Sequence, residues 1–494
     1  MYIHYPIRSL LKMIPALLVM CWTLSCSDFL DEDLSTVMCE KNLFSNEEGL
    51  LAALAGVYKP MSYTWRSGYA NSFTLAVLMG SDDLTSPKFM SKSYYREFDQ
   101  YKVGDWNQCL GFIWYGAYKS IQGANLIIAN YQNVKGDEKA IRQMAGEAYF
   151  LRAYNYFWIV RLWKDAPLML GSQTFNESDL SILRSPAAEI YIQIVEDLQQ
   201  AEILLNNKKP EPGRVGKGTA KALLAEVYLT MAGWPLKDRS YYTKAASKAR
   251  EVLDNLDAFG FELMDDFADL WPDDSSNNDG NKEEVFALNF WGEYWNVNAI
   301  YGLIARPLED DGWANVFTEL TFFNEFPEGY RKEKTFLTEL EDGTKWEDFQ
   351  TGRPHYAKLR GPEPEWQNII SLPLERLAEV YLVFAEAQIM ATGDSRDPDA
   401  LEAVNKIVRR GVGLPPNEPN GSVDWVSASQ EQIVREKGWE FAGEFCRWFD
   451  LVRLEMVEEV VAKKHPDDMQ PLGPISYTFP VPITDSEINP GLRW

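Results

Sequence analysis

The sequence predicts a mainly α protein: tetratricopeptide-like helix pairs, four units forming a scaffold, with long loop-rich insertions containing small β elements. Three observations carry this. The hexapeptide LAEVYL occurs twice, at Leu224–Leu229 and Leu377–Leu382. Looser copies, LAGVYK from Leu54 and AGEAYF from Ala145, keep its order of small or apolar residues, then Glu or Gly, an aliphatic or Ala, and Tyr. Each copy has a later partner stretch of helical periodicity, and small and aromatic residues are what interlock two antiparallel helices.

The units fall near 47–131, 140–206, 217–256 and 373–412. In the first, Leu54–Tyr58 pairs with the stretch Phe112–Tyr131. In the second, RQMAGEAYFLRAYNYFWIVRLW pairs with Ala187–Leu205. The third runs from Thr219, read as an N-cap, with Leu223, Val227 and Met231 on one face. Its second helix is Tyr241–Asp254, where the small Ala245 and Ala249 permit close packing. The fourth pairs ERLAEVYLVFAEAQIMA with Asp399–Arg410. Tyr228 and Tyr381 hold equivalent positions in the identical hexapeptides, so both are expected in the core. Trp114, Trp158, Trp163 and Trp448 are assigned to core as well.

The unit starts are unevenly spaced, because insertions near 60–110 and 257–372 interrupt them, and insertions in repeat folds often carry the binding face. The first is aromatic, with Tyr63, Trp65, Tyr69, Tyr94, Tyr95, Tyr101 and Trp106. The second is rich in Gly, Asn, Asp and Trp; its EEVFALNFWGEYW stretch alternates as a strand does, and Thr318 is placed near a helix start.

The N-terminus reads as an export signal. Arg8 and Lys12 precede a short apolar run, Met13–Leu24, and Ser25 precedes Cys26. This has the shape of a lipoprotein cleavage site, although Thr23 stands where such sites usually have Leu. The expectation is a signal peptide over 1–25 and acylated Cys26 as the lipid attachment. No later stretch is apolar enough to cross a bilayer, so membrane contact is through the lipid only.

The formal charge of −25 argues against nucleic acid as a partner, since no basic excess exists to displace counterions. Beyond Cys26, Cys39, Cys109 and Cys446 show no paired spacing and read as free thiols. His355 and His465 are far apart, which disfavours a His-based triad or zinc site. GRVGKGT fails the phosphate-loop pattern because Gly218 follows Lys217, and SSNNDGNKEE fails the calcium-loop pattern because Phe286 falls where the bidentate Glu belongs. Both are read as turns. The run Glu309, Asp310, Asp311 mimics a glycosidase pair only superficially, adjacent carboxylates in an acidic protein being usually solvated. No enzyme activity, cofactor or metal is expected.

Several segments together resemble the SusD/RagB family of outer-membrane nutrient-binding lipoproteins. They are CSDFLDEDL, GEAYFLRAYNYFWIVRLWKDAPLML, GRVGKGTAKALLAEVYL, ERLAEVYLVFAEA, WEFAGEFCRWFDLVR and FPVPITDSEINPGLRW, which span nearly the whole chain. The sequence departs from the family pattern at Phe445, where Gly is usual, at Lys437, where Arg is usual, and in a shortened ending around Asn489-Pro490. The resemblance implies one nutrient-binding domain over 26–494 at the cell surface, lipid-anchored in the outer membrane. It further implies binding of an oligosaccharide and its delivery to a SusC-like TonB-dependent transporter. A tetratricopeptide-type adaptor for a peptide or protein is the alternative reading.

Sugar rings present apolar C–H faces that stack on Trp and Tyr, while their hydroxyls need charged or amide partners. The two insertions supply both. The ligand-binding candidates are Trp65, Arg66, Asp82, Asp83, Tyr101 and Trp106 in the first, and Trp291, Trp295 and Trp313 in the second.

Overall fold

The computed structural model describes residues 43–62, 72–88, 93–171, 182–271, 278, 280–290, 298, 303–361 and 369–493. All four expected helix pairs are present. Helix α1 (Glu47–Ser62) packs on α2 (Gln108–Asn130), and α3 (Glu138–Trp163) on α4 (Ala187–Leu204). Helix α5 (Lys217–Met231) packs on α6 (Tyr241–Leu253), and α7 (Leu377–Thr392) on α8 (Pro398–Gly411). The units continue into one another through α2 against α3, α4 against α5, and α6 against α7.

Local chemistry sets the helix ends. Asn107 and Asp137 begin α2 and α3 by accepting from the amides of Cys109 (3.0 Å) and Lys139 (3.1 Å). Asp397 caps α8 through the Asp399 and Ala400 amides, with Pro398 in the first turn, and Arg409 and Arg410 lie at the negative end of the helix dipole. Helix α7 stops at Gly393, whose φ of 73° suits a residue without Cβ. Thr219 is not the N-cap of α5. The helix begins two residues earlier at Lys217, and the Thr219 hydroxyl instead accepts from the Gly216 amide (3.4 Å) and donates to the Val285 carbonyl (3.1 Å). Gly216 holds the cap because a Cβ there would meet the Asn207 carbonyl oxygen at 2.9 Å.

The repeated hexapeptide is a packing device with an ionic part. Tyr228 and Tyr381 are buried, as expected, and so are Trp114, Trp158, Trp163 and Trp448. The Glu of each of the three copies that carry one is tied to a cation from elsewhere in the chain: Glu147 to Arg214, Glu226 to Arg161 at 2.8 Å, and Glu379 to Lys437 at 2.9 Å. Lys437 lies on α9 (Gln430–Glu440) and also reaches Asp450 (3.2 Å) on α10 (Arg447–Arg453). Lysine at this departure from the family pattern therefore still pairs both acids. The other departure, Phe445, is buried edge-on against Trp158, the ring centroids 6.3 Å apart. Cys109 and Cys446 are buried free thiols; Cys26 and Cys39 lie outside the described residues.

Two small antiparallel sheets form within and beside the second insertion. Strand β1 (Glu284–Leu288) pairs with β4 (Leu372–Arg376), and β2 (Phe336–Leu337) with β3 (His355–Tyr356). The alternating EEVFALNFWGEYW stretch thus supplies a strand in its first half; Trp291 and Trp295 lie outside the described residues. Glu319 caps a short helix, Leu320–Glu325, so Thr318 does stand just before a helix start. A buried ionic lattice fixes this insertion to α8 and α9. Arg376 holds Glu283 (2.7 Å) and Glu440 (3.1 Å), Arg410 shares both acids, and Arg331 joins Glu440 (3.0 Å) and Glu436 (2.7 Å). Removing one member would strand a buried charge, which costs more than the intact lattice contributes.

Candidate ligand-binding site

The two insertions are far apart in sequence and touch in space. The backbones of Thr85 and Phe317 exchange both hydrogen bonds, Thr85 N–H to Phe317 O at 2.8 Å and Phe317 N–H to Thr85 O at 3.1 Å. The Tyr356 hydroxyl donates to the Asp83 carbonyl across the same junction. Below it, the Lys464 ammonium joins Asp99 of the first insertion (3.0 Å) to Glu319 of the second. The first insertion is itself seated on the C-terminal segment: a Cβ at Gly80 would fall 2.6 Å from the Trp448 ring, so only glycine lets the chain lie flat there.

A cavity of about 270 Å³ opens at this junction. Thr85, Ser86, Pro87 and Lys88 line it from the first insertion, Phe317, Thr351 and Arg353 from the second, and Asp467, Asp468 and Met469 from the C-terminal segment. Arg353 is held by Asp468 (3.3 Å) and by the Gly352 carbonyl (2.9 Å). Asp468 in turn accepts from the Leu320 amide at 3.1 Å. The cavity thus has one apolar wall, two threonine hydroxyls and fixed charges of both signs. That lining suits a neutral polyhydroxylated ligand, whose hydroxyls both donate and accept.

The candidate residues divide sharply. Trp106, in the turn before α2, is 61 % exposed, whereas every other tryptophan among the described residues is buried or half-buried. Trp313 is half-buried and packs on the core. Tyr101 is buried, with its hydroxyl donated to the Gly80 carbonyl, and its phenol is pushed far up by that burial. Asp83 has no exposed surface; it accepts from the Ser81 hydroxyl (2.5 Å) and the Gly443 amide (2.9 Å), and burial lifts its carboxyl to about 6. Asp82 is gripped by Arg447 through both oxygens at 2.6 Å and faces a different cleft. Tyr101 and Asp83 are therefore structural anchors of the first insertion, their polar atoms already paired within the fold. Trp65, Arg66, Trp291 and Trp295 lie outside the described residues. Thr85, Lys88, Thr351 and Arg353 were missed from sequence, because nothing in a threonine or a lysine marks it as lining a cavity made by distant segments.

The run Glu309–Asp311 does not form a catalytic pair. Asp310 is clasped by Arg306 (2.9 Å) and Arg360 (2.6 Å), which hold its carboxyl below the usual range against the effect of burial. Glu309 accepts from the Gln350 amide, 2.9 Å. Among the described residues no group of His, Cys, Asp and Glu is arranged to hold a metal, and no helix is long and apolar enough to cross a membrane.

Comparison with known proteins now decides the family. Residues 28–229 match a family described as "Starch-binding associating with outer membrane", and residues 271–475 match the SusD family. The chain belongs to the SusD/RagB family. SusD-like protein P2 of Formosa agariphila is 28% identical over 90% of each chain, and a SusD-like protein of Bacteroides ovatus is 25% identical over 87% of this chain and 79% of the relative. Among solved structures, a SusD homolog from Bacteroides thetaiotaomicron superposes with a TM-score of 0.76 at 21% identity, covering 92% of this chain and 97% of that one. A laminarin-binding SusD-like protein superposes with a TM-score of 0.74 at 23% identity, covering 90% and 98%. This SusD/RagB member thus shares the helical SusD fold over about nine-tenths of its length.

Proposed function

We propose that this protein captures an oligosaccharide at the cell surface and delivers it to a SusC-like TonB-dependent transporter in the outer membrane, to which it is tethered by lipid on Cys26. The observation that carries the reading is the Thr85–Phe317 junction, where both insertions meet and a polar cavity opens. The names of the structural neighbours support it: one is laminarin-binding, one is a complex with a xylogluco-oligosaccharide, and one is a surface glycan-binding protein from Bacteroides uniformis.

The first described residues and the first insertion are held at opposite ends of α2. Asn46, near the start of the described chain, bridges to Lys135 just beyond the C-terminal end of that helix. Asn107 at its N-terminal end holds the first insertion through the Tyr94 carbonyl (2.9 Å). A helix of 23 residues spans about 34 Å.

Calorimetry of the delipidated protein against a panel of polysaccharides tests the reading. Saturable binding to at least one glycan, without its hydrolysis, is the expected result. Product release would assign an enzyme. Binding of peptides alone, lost on changing the helical groove, would assign an adaptor.

A further inference from the structure

A second cleft, separate from the insertion junction, lies between the short helix Leu320–Glu325, α9 and the segment after α10. Its walls are Phe322, the half-buried Trp439 and Val460, and its base is the Asp82–Arg447 ion pair. Glu319 also lines it. This residue has no exposed surface, and only one of its oxygens is paired, with Lys464; its Oε2 has no hydrogen-bond donor. Lys464 is shared with Asp99, so one cation serves two buried acids.

The charge balance of the cleft follows from its pairs. Asp82 is matched by Arg447, and Glu459 by Lys463 at 2.6 Å. That leaves Glu325 and Glu431 against Arg435, with Glu319 holding only a share of Lys464. A buried carboxyl short of a donor, an aromatic wall and an acidic rim have one complementary chemistry: a cationic head on an apolar stem. The head would meet the Glu319 carboxylate, and the stem would lie along Trp439, whose ring face attracts a cation. We propose that this cleft binds an alkylammonium or alkylguanidinium group, supplied by a free amine or by a lysine or arginine side chain.

The state of Glu319 adds a signature. Burial, with Asp99 and Asp468 nearby, holds its carboxyl well above the ordinary range against the opposing pull of Lys464. Asp82, Arg447, Glu325, Glu431, Arg435, Glu459 and Lys463 are the other charged groups facing the cleft. A cationic head favours the Glu319 carboxylate over the acid, so binding draws protons off this group. Affinity therefore rises with pH, and calorimetric heats differ between buffers of different ionisation enthalpy.

The test is titration with n-butylamine, with Nα-acetyl-lysine amide and with n-butanol as a neutral isostere. Saturable binding of the two amines, with proton release and with butanol about tenfold weaker or absent, supports the proposal for a free amine. Binding of the lysine derivative alone supports it for a protein side chain. Glu319→Gln should weaken amine binding about tenfold and abolish the proton release. Since Glu319 also pairs Lys464, the rim pair Glu325→Gln/Glu431→Gln and the wall variant Trp439→Leu serve as independent checks, each expected to weaken the amine while leaving glycan binding unchanged. Butanol binding as tightly as butylamine, or no saturable binding by either amine, overturns the proposal and leaves the glycan reading untouched.

Discussion

Thr85 and Phe317 form a reciprocal backbone pair that joins two insertions across 232 positions of sequence. Neither side chain specifies this contact. It exists because the helix pairs beneath hold the two loops side by side, and buried backbone groups must find partners.

That pair is open to a direct test. Thr85→Pro removes the amide that Phe317 O accepts from, leaving a buried carbonyl unsatisfied, and should lower stability by about 1–3 kcal/mol. Far-ultraviolet circular dichroism should still report intact helices, since the helix pairs do not depend on the junction. Glycan affinity should fall in parallel. Wild-type affinity in the variant would show that the junction does not shape the ligand site.

Trp106 and Trp158 should separate binding from folding. Trp106→Ala removes an exposed ring, so stability should change by no more than about 0.5 kcal/mol, while glycan affinity drops at least several-fold. Trp158→Ala opens a cavity in the core of α3 and should cost about 3–5 kcal/mol. Trp295→Ala is expected to behave as Trp106→Ala does. Thermal melts and calorimetry on the three variants suffice; unchanged affinity in both insertion variants would remove the aromatic-platform reading.

The two hexapeptide tyrosines should respond alike. Tyr228 and Tyr381 are 7% and 8% exposed, and either change to Ala should cost about 3 kcal/mol in chemical denaturation. A variant as stable as wild type would mean that the repeated surface is not a packing surface.

His355 gives a pH dependence of known sign. Its Nδ1–H donates to the Ala305 carbonyl (2.7 Å), and its Nε2 accepts from the Thr351 hydroxyl (3.0 Å). Burial brings its folded value down to about 4 from 6.5, although the Ala305 bond and the charge of Asp310 oppose the fall. The folded state thus favours the neutral ring, and its contribution is complete above pH 6.5 and lost as pH falls towards 4. At ~1.4 kcal/mol per unit, the loss is about 3 kcal/mol. Asp83 runs the other way: lifted to about 6 from 3.8, it adds stability as pH falls over an overlapping range. The effect is therefore read as wild type minus His355→Gln, a difference that should shrink between pH 6.5 and 4. A difference independent of pH would mean that His355 titrates normally.

For the anchor, Cys26→Ala should move the protein from the membrane fraction to the soluble one. Membrane recovery equal to wild type would remove the lipid tether.

Helix pairing was legible because it is local. The LAEVYL copies and the small residues at Ala245 and Ala249 act within one or two turns, so their periodicity declares which face is buried. The strand Glu284–Leu288 was legible for the same reason, and the family-like segment around Lys437 and Phe445 kept its place because Lys437 still reaches Glu379 and Asp450. The site was legible only as a composition of loops. Asp82, Asp83 and Trp106 read alike as polar or aromatic loop residues, yet Asp82 is locked to Arg447, Asp83 is sealed inside, and Trp106 faces solvent. That sorting depends on partners 360 or more positions away, Gly443 and Arg447. Sequence periodicity sets which side of a helix is apolar; which loop residue meets which distant cation is a matter of three-dimensional proximity, and only the tertiary structure decided it.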